Sequence, residues 1–570
     1  MEKLNKFSLL WPKNENKEKY TNIENLSRRC IDNLGLKQIA QELSYNEKHY
    51  YTVRKLLLNL CDNPKVINYR LDIMEDFINN PELLSEFEKI FELINQIHNY
   101  KKPDRKIEGN KLRTIAWRLK MLEIFSECMQ KINALLSRFQ DDFNSEGMQK
   151  LYQYIKKIVE SELFQSLKNE LPDLKDKFDN LSCVTIGINL NASLQPKEAV
   201  FLSIESEPFQ KESIFSRLFG LDDNEEKFDG ISAFQKIISK DKEHVAVEQG
   251  IFKELNEIFQ EVLTPIGKAI SRYVNYKERF LINLQRDLYF YIGATRFIKK
   301  MCALGFSMCK PEVLPKEKRS SKIENIRDLS LALGLIENKK RDETGDEDKV
   351  DLGEEIVPND IDFGSESRIF ILTGPNQGGK TTFTRAIGIA QVLFQAGIFV
   401  PGTKASISPV DWVYTHFTEK EKPNTKDGRL GEESRRLSRL FQNATSHSLI
   451  LLNESLSSTS PGEGLYLLKN IVKGIRLLGC RCIFTTHLHK LAAKIDAINS
   501  EAEGDSKVGS LVAEVDRENS GKNMEARRTF KIVSKPPEGK SFARDVDYKD
   551  GISYDQIKKT IEERKYLDNF

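Results

Sequence analysis

The spacing of apolar positions changes along the chain, and the changes mark out its parts. From about Ser27 to Tyr100 apolar residues cluster at helical intervals: Val53, Leu56, Leu57 and Leu60, then Ile67, Leu71, Ile73, Met74 and Phe77. Asn63-Pro64 sits between the clusters as a helix–helix connection would. Ile115, Leu119, Leu122, Phe125, Met129, Ile132 and Leu136 then lay one stripe along a long helix, and such a stripe needs a partner. The partner is expected between Glu248 and Lys300, where Phe252, Leu255, Phe259, Val262, Ile266, Ile270 and Tyr273 repeat the spacing and Leu284, Leu288 and Tyr291 continue it. Some fifty helical residues at roughly 1.5 Å each would reach about 75 Å, the length of a lever or stalk. Pro265 is expected to kink or interrupt it. Between these helices the period becomes alternating, in Val184, Ile186, Ile188 and Leu190 and again in Val200, Leu202 and Ile204. A small β element with Pro196 in its connecting loop follows from that.

Pro103 to Gly109 reads as a basic, turn-rich loop; a solvated surface is favoured there over a DNA contact from Lys101, Lys102, Arg105 and Lys106. Pro311 to Lys322 is also basic and loop-like, and Glu337 to Glu355 is charge-dominated and reads as an exposed linker. Beyond it strands and helices alternate: Ile369 to Thr373, a helix over Arg385 to Val400, a strand over Ser448 to Leu452, a helix over Glu463 to Leu478 and a strand over Cys482 to Thr486. That order predicts a doubly wound, mostly parallel sheet. The tail reads as a hairpin, Val508 to Val515 with Thr529 to Val533, and a short helix over Ile557 to Arg564. The expected division is a helical core over 1–110, ascending lever helices over 111–183, and a small β-containing connector over 184–247. Descending helices returning to the core over 248–335, a charged linker over 336–356 and an α/β domain over 357–570 complete it. The fold class is thus an α/β P-loop domain joined to a long all-α core and lever region with a small β insertion.

Composition narrows the function only a little. Charged residues make up 30% of 570 residues yet cancel to +2, so no overall basic field points to nucleic acid and any such surface must be local. The eight cysteines are scattered without a CxxC pair, as reduced thiols in a cytoplasmic protein would be. Cys480 and Cys482 face one side of a strand, where burial is favoured over metal binding because no other ligands flank them. Met1 to Asn14 has no signal-peptide core and no uncharged apolar run reaches spanning length, so no membrane partner is expected.

The strongest chemical signal runs from Ile369 to Thr382. Gly374, Pro375, Asn376, Gln377, Gly378, Gly379, Lys380, Thr381 and Thr382 follow an apolar strand and open a helix. Small residues at this spacing let backbone N–H groups close around phosphate oxygens. Lys380 would neutralise the β- and γ-phosphates of ATP, the Thr381 hydroxyl would ligate Mg²⁺, and the helix would direct its positive end at the anion. A flexible turn with a chance Lys-Thr is the competing reading, disfavoured by the strand and helix on either side. Hydrolysis also needs a residue to orient water and one to sense the γ-phosphate. The apolar strand Leu449 to Leu452 ends in Asn453-Glu454, where Glu454 is placed to polarise the attacking water. His487, after Phe484-Thr485-Thr486, is placed to reach the γ-phosphate; a histidine capping a strand end is the alternative.

Taken together these residues resemble the MutS family of DNA mismatch-repair ATPases, within the broader ABC-type class. Thr373 to Thr382 is similar to that family's phosphate loop, with Gln377 where Met is usual. Val400-Pro401, Asn443-Ala444-Thr445, Ser448 to Glu454, Thr459-Ser460, Gly464 and Thr486-His487 keep the family's order and approximate spacing. No Leu-Ser-Gly-Gly-Gln signature precedes Asn453, which disfavours a transporter ATPase. Asn63-Pro64 through Arg70 and Phe77 looks like the MutS core segment, and the paired long helices look like its levers. The resemblance implies a homodimer in which Gly428 to Glu433 and Thr459 to Glu463, with Gly428, Glu433, Thr459 and Ser460 as the named candidates, complete the partner's nucleotide site. Phe530 to Ala543, including Gly539-Lys540-Ser541-Phe542, looks like the closing segment that helps the dimer form.

The sequence also departs from the family pattern. No counterpart of the mismatch-reading N-terminal domain or of a following nuclease domain is expected. Asn453 stands where an acidic residue of the Mg²⁺ shell is usual; its amide oxygen can accept from a metal-bound water but lacks the charge, so weaker Mg²⁺ binding or slower turnover is expected. Gly428-Arg429 replaces the usual Ser-Thr pair. The resulting expectation is an ATP-hydrolysing, DNA-associated MutS-like protein in repair or recombination, with ATP and Mg²⁺ as its ligands, whose nucleotide-driven closure travels along the long helices. Two alternatives stand beside it: an ATP-gated module with little hydrolysis, and an ABC-type mechanical ATPase acting on protein.

Overall fold

A computed structural model of the chain describes residues 7–21, 26–99, 111–179, 183–190, 192, 196–205, 260–273, 278–341, 351–364, 366–418, 428–456, 461–517, 526–537 and 558–559. The basic stretch 100–110 and most of the tail helix lie outside the described residues. The chain divides into two compact units, one of 1–5, 82–142 and 149–285, the other of 6–81, 143–148 and 286–570.

The first unit is built on helix Lys111–Arg138, whose 28 residues extend about 42 Å. Its stripe is buried as the spacing predicts: Leu119, Leu122, Phe125, Met129, Ile132 and Leu136 are all inside. Helices Glu82–Asn99, Glu162–Asp179 and Gln260–Ser271 cover it. Phe125 meets Phe164 edge-on with ring centres 6.5 Å apart. The region expected to supply the partner holds two described helices, Gln260–Ser271, which packs on the stripe, and Glu278–Ala303, whose residues from Arg286 on belong to the second unit. The first passes straight through Pro265, so proline does not interrupt it; the described turn comes at Arg272 and Tyr273 instead. A missing N–H bond costs about 3 kcal/mol inside a helix, and burial of Ile266, Ile270 and Tyr273 offsets it at about 1.5–3 kcal/mol per side chain. The alternating segments form an antiparallel pair, Cys183–Leu190 with Pro196–Glu205, and Pro196 pairs with Leu190 as the first residue of its strand rather than lying in the loop.

The second unit contains a six-stranded sheet. Its strands are β1 (Ser367–Thr373), β2 (Val413–Phe417), β3 (Leu449–Asn453), β4 (Arg481–Thr485), β5 (Lys507–Arg517) and β6 (Ala526–Ser534). They lie in the order β2-β3-β4-β1-β5-β6, parallel except for β6, which runs antiparallel to β5 at the edge. The helices that matter for the site are α1 (Lys380–Ala396), α2 (Arg429–Asn443) and α3 (Pro461–Leu478). One face of the sheet packs Ile369, Ile371, Ile450, Leu452, Cys482 and Phe484 against apolar residues of α2 and α3. The other receives α1, in which every residue from Ala386 to Ala396 is buried. A helix buried on every side belongs in an interior, and α1 also meets Tyr50–Leu58, Pro64–Asn79 and Leu329–Arg341.

Parts read as loop or linker are more ordered than their composition suggests. Within Pro311 to Lys322, Glu312–Val313 and the start of Ser321–Ile326 are strands; with Lys404–Ile407 and Asn359–Phe363 they form a four-stranded sheet. The charged stretch begins inside helix Leu329–Arg341 and ends in a turn, Leu352–Glu355, that Asp351 caps and Leu352 anchors in the core. Among the described residues no helix is long and apolar enough to cross a membrane.

Leu452 is fully buried on β3, between β2 and β4 of the six-stranded sheet. Leu452→Ala should lower stability by about 2–5 kcal/mol through the cavity it leaves, read from denaturant unfolding; a loss under 1 kcal/mol would contradict this packing.

Candidate functional site

The turn between β1 and α1 is shaped by what its backbone must do. Gly374 has φ 145°, and a Cβ there would lie 2.6 Å from that of Ala513 on β5, so only glycine fits. Gln377 is left-handed at φ 59°, and the Gly378 N–H donates to Pro375 O at 3.2 Å. Gly379 is also left-handed and starts α1 without a side-chain cap, which leaves first-turn N–H groups to face an anion. Lys380 is buried, and its ammonium donates to Gly374 O at 3.0 Å and Pro375 O at 2.7 Å. Burial pulls its pKa down to about 8, with the charge of Glu454 acting the other way.

Parallel pairing brings the other predicted residues to this turn. Asn453 ends β3 level with Thr485 on β4. The Thr381 hydroxyl donates to Asn453 Oδ1 at 3.2 Å. Glu454, left-handed at φ 54°, donates its N–H to Thr485 O at 2.9 Å. Its Oε1 is 2.7 Å from His487 Nε2, and that bond holds the carboxyl below its ordinary pKa, with burial opposing and Lys380 assisting. A cavity of about 380 Å³ lies alongside, lined by Gln377 to Phe383 and Glu454 and walled by Ile356, Val357, Asn359 and Phe530. That volume falls in the range of about 300–1,000 Å³ typical of small-molecule pockets. The hydroxyl and amide oxygens of Thr381 and Asn453 suit a hard cation such as Mg²⁺, but both are neutral, so phosphate oxygens and waters would have to supply the remaining ligands.

The remaining candidates are less convergent. Asn376 is exposed, Thr382 is half-buried, and the Gln377 side chain accepts from Arg528 of β6 at 2.6 Å. Gly428 is exposed just before α2. Glu433 is buried, and its carboxylate accepts from the N–H of Leu456 in the same chain at 2.7 Å. Thr459, Ser460 and Gly539 to Phe542 lie outside the described residues. Sequence reading did not anticipate Asn359 and Phe530 as pocket walls. The Asn359 amide donates to Phe530 O at 3.1 Å and its carbonyl accepts from Ile532 N at 2.6 Å, a pairing across more than 170 positions that no local spacing signals. It also missed His416, which is buried at the end of β2 and hydrogen-bonded to Ser455 Oγ at 2.7 Å.

Comparison with known proteins matches both halves of this chain. The family model described as MutS2 N-terminal domain matches residues 62–304, and that described as MutS domain V matches residues 370–529. The DNA mismatch repair protein MutS of Clostridium kluyveri is 25% identical over 472 residues, which cover 77% of this chain and 50% of that protein. The MutS of Chloroflexus aurantiacus is 36% identical over 146 residues, 25% of this chain and 15% of that protein. Endonuclease MutS2 of Thermus thermophilus is 34% identical over 139 residues, 24% of this chain and 19% of that protein. The chain spans about half the length of the first of these relatives.

Burial holds the His416 pKa at about 3 against an ordinary 6.5, so the folded chain keeps this ring neutral. The unfolded chain binds the proton first as pH falls, so the stability this ring contributes is complete above 6.5 and is lost towards pH 3. The stability difference between wild type and His416→Gln should therefore shrink over that window by up to about 1.4 kcal/mol per pH unit. Parallel stability curves for the two proteins would contradict it.

Proposed function

The chain belongs to the MutS family, and from that premise we propose that it is an ATP-dependent DNA-binding ATPase of the ABC-type P-loop class. The observation that carries this reading is the convergence of Lys380, Thr381, Asn453, Glu454 and His487 beside one cavity. In this reading the loop from Gly374 to Thr382 cradles the triphosphate with its N–H groups, and Lys380 exchanges its carbonyl partners for phosphate oxygens. Ile356, Val357 and Phe530 offer apolar walls to the base. Thr381 and Asn453, the latter through water, would hold Mg²⁺, which neutralises charge on the phosphates when bound. Glu454 orients the attacking water, kept anionic by its bond from His487, and His487 is the side chain that senses the γ-phosphate.

The DNA role draws on the matched families and on relatives whose names specify mismatch repair and endonuclease activity, not on net charge. Two such chains would pair as a homodimer in the cytoplasm, with Gly428, Thr459 and Ser460 of each facing the other's nucleotide. The long helices, Lys111–Arg138 and Glu278–Ala303, would carry closure to a DNA-embracing region. A second reading, nucleotide occupancy as the signal with little turnover, is favoured by one feature: the metal-shell position holds the neutral amide of Asn453.

Turnover by wild type and Glu454→Gln separates the two readings. Hydrolysis predicts a drop of about 10²-fold or more with nucleotide affinity kept, whereas equal rates would select the gated module. Asn453→Asp should shift the Mg²⁺ dependence of turnover to lower concentration; an unchanged Mg²⁺ titration would remove Asn453 from the metal shell. Binding to duplex, branched and single-stranded DNA should weaken steeply with salt, and salt-insensitive or absent binding to all of them would overturn the DNA assignment.

A further inference from the structure

Strand β3 delivers Glu454 on a turn that the chain would not adopt unaided. Glu454 and Leu456 are both left-handed, at φ 54° and 59°, although neither is glycine. Each such residue costs roughly 1–2 kcal/mol and persists only where surrounding contacts over-determine it. Three ties can be traced. The Glu454 N–H donates to Thr485 O at 2.9 Å. Ser455 is buried and bonded to His416. Leu456 donates its N–H to Glu433 Oε2 at 2.7 Å and buries its side chain with Leu437, Leu440 and Leu468. The last tie is the only one of these made by a carboxylate, and Glu433 is itself only 4% exposed. A charge-assisted bond in such a site is short and strong, and losing it leaves a buried N–H without its acceptor.

Glu433 lies in the first turns of α2, beside Glu432, which pairs with Arg29 at 3.1 Å. The start of α2 is thereby anchored through Glu432 on one side and joined through Glu433 to the turn bearing Glu454 on the other. We propose that Glu433 is a positioning residue acting within its own subunit: its carboxylate locks the left-handed turn after β3, so that the placement of α2 sets the placement of the Glu454 carboxylate. This deepens the ATPase reading and rests on it for its kinetic consequence. It also gives Glu433 an occupation that competes with reaching a partner's nucleotide. The strain in the turn supplies the lever, because a turn released from Glu433 relaxes toward right-handed backbone and swings Glu454 away from His487. A displacement of about 1 Å at a reacting group can cost on the order of 10²-fold in rate.

The test uses the full chain carrying Glu433→Ala, Glu433→Asp or Glu433→Gln, with wild type and Glu454→Gln as references. Turnover, affinity for a fluorescent ATP analogue, and hydrogen exchange at the Leu456 amide are measured on each. Ala removes the acceptor and Asp withdraws it by one methylene; both should lower kcat about 10-fold or more, leave nucleotide Kd within about 2-fold, and speed exchange at Leu456. Gln keeps an acceptor oxygen and should restore most of kcat and the protection. If Ala does not fold, the Asp variant carries the comparison. A merely structural role would lower thermal stability without the split between kcat and Kd and without rescue by Gln. Wild-type kcat in a folded Ala or Asp variant would overturn the proposal. If wild type turns over no faster than Glu454→Gln, the ATPase reading fails separately, and exchange at Leu456 still decides: faster exchange in Ala or Asp supports the lock, and unchanged exchange overturns it.

Discussion

Burying the ammonium of Lys380 disfavours its charged form, and the surrounding chain is arranged to offset that cost. The carbonyls of Gly374 and Pro375 accept its hydrogen bonds, and the carboxylate of Glu454 supplies the opposite charge. Each requirement fixes something larger. Turning two successive carbonyls toward one side chain requires the tight loop, and the loop requires glycine where β5 presses against it. Bringing Glu454 close requires β3 to be parallel to β4 and β4 to β1, so that their ends gather at the start of α1.

The far end of α1 is fixed with equal care, which matters because the loop can be no better placed than the helix it opens. Arg70 is fully buried, donates to Leu10 O at 2.9 Å and Ala396 O at 3.4 Å, and stacks its guanidinium 4.2 Å over Trp11. Gly397 ends the helix in a left-handed conformation directly against Arg70, where any Cβ would collide. Between the ends, Gln391 and Gln395 satisfy buried carbonyls of Ser408, Val410 and Cys61, and Arg385 pairs with buried Asp328 at 2.5 Å. Polar groups inside an apolar helix environment are tolerated because they are hydrogen-bonded. They also fix its rotation, since a slip would leave several unpaired.

Local patterns foretold what local physics controls. The stripe from Leu119 to Leu136, the alternating strands around Leu190, and the run from Gly374 to Thr382 each carry their signal within a short window, and the structure has helix, strand pair and loop there. Where tertiary contacts override composition, the reading was less complete. Pro311 to Lys322 reads as loop because it is basic, yet Ser321 and Lys322 open the strand Ser321–Ile326, which pairs with Lys404–Ile407 and Asn359–Phe363 on either side. Pro265 looked like a break, yet packing carries the helix through it. The contacts of Asn359 with Phe530 and of Glu433 with Leu456 depend on chain crossings that no single stretch records. Glu433 is visible in the sequence as a candidate residue, but its bond to Leu456 in the same chain is not.

In the proposed function the buried ammonium of Lys380 grips a triphosphate. Equilibrium titration of ATP into wild type and Lys380→Ala, at one Mg²⁺ concentration and ionic strength and with folding checked by thermal melting, tests it most directly. The variant should stay folded and lose at least about 100-fold in affinity, roughly 2.7 kcal/mol. An unchanged dissociation constant in a folded variant would contradict it.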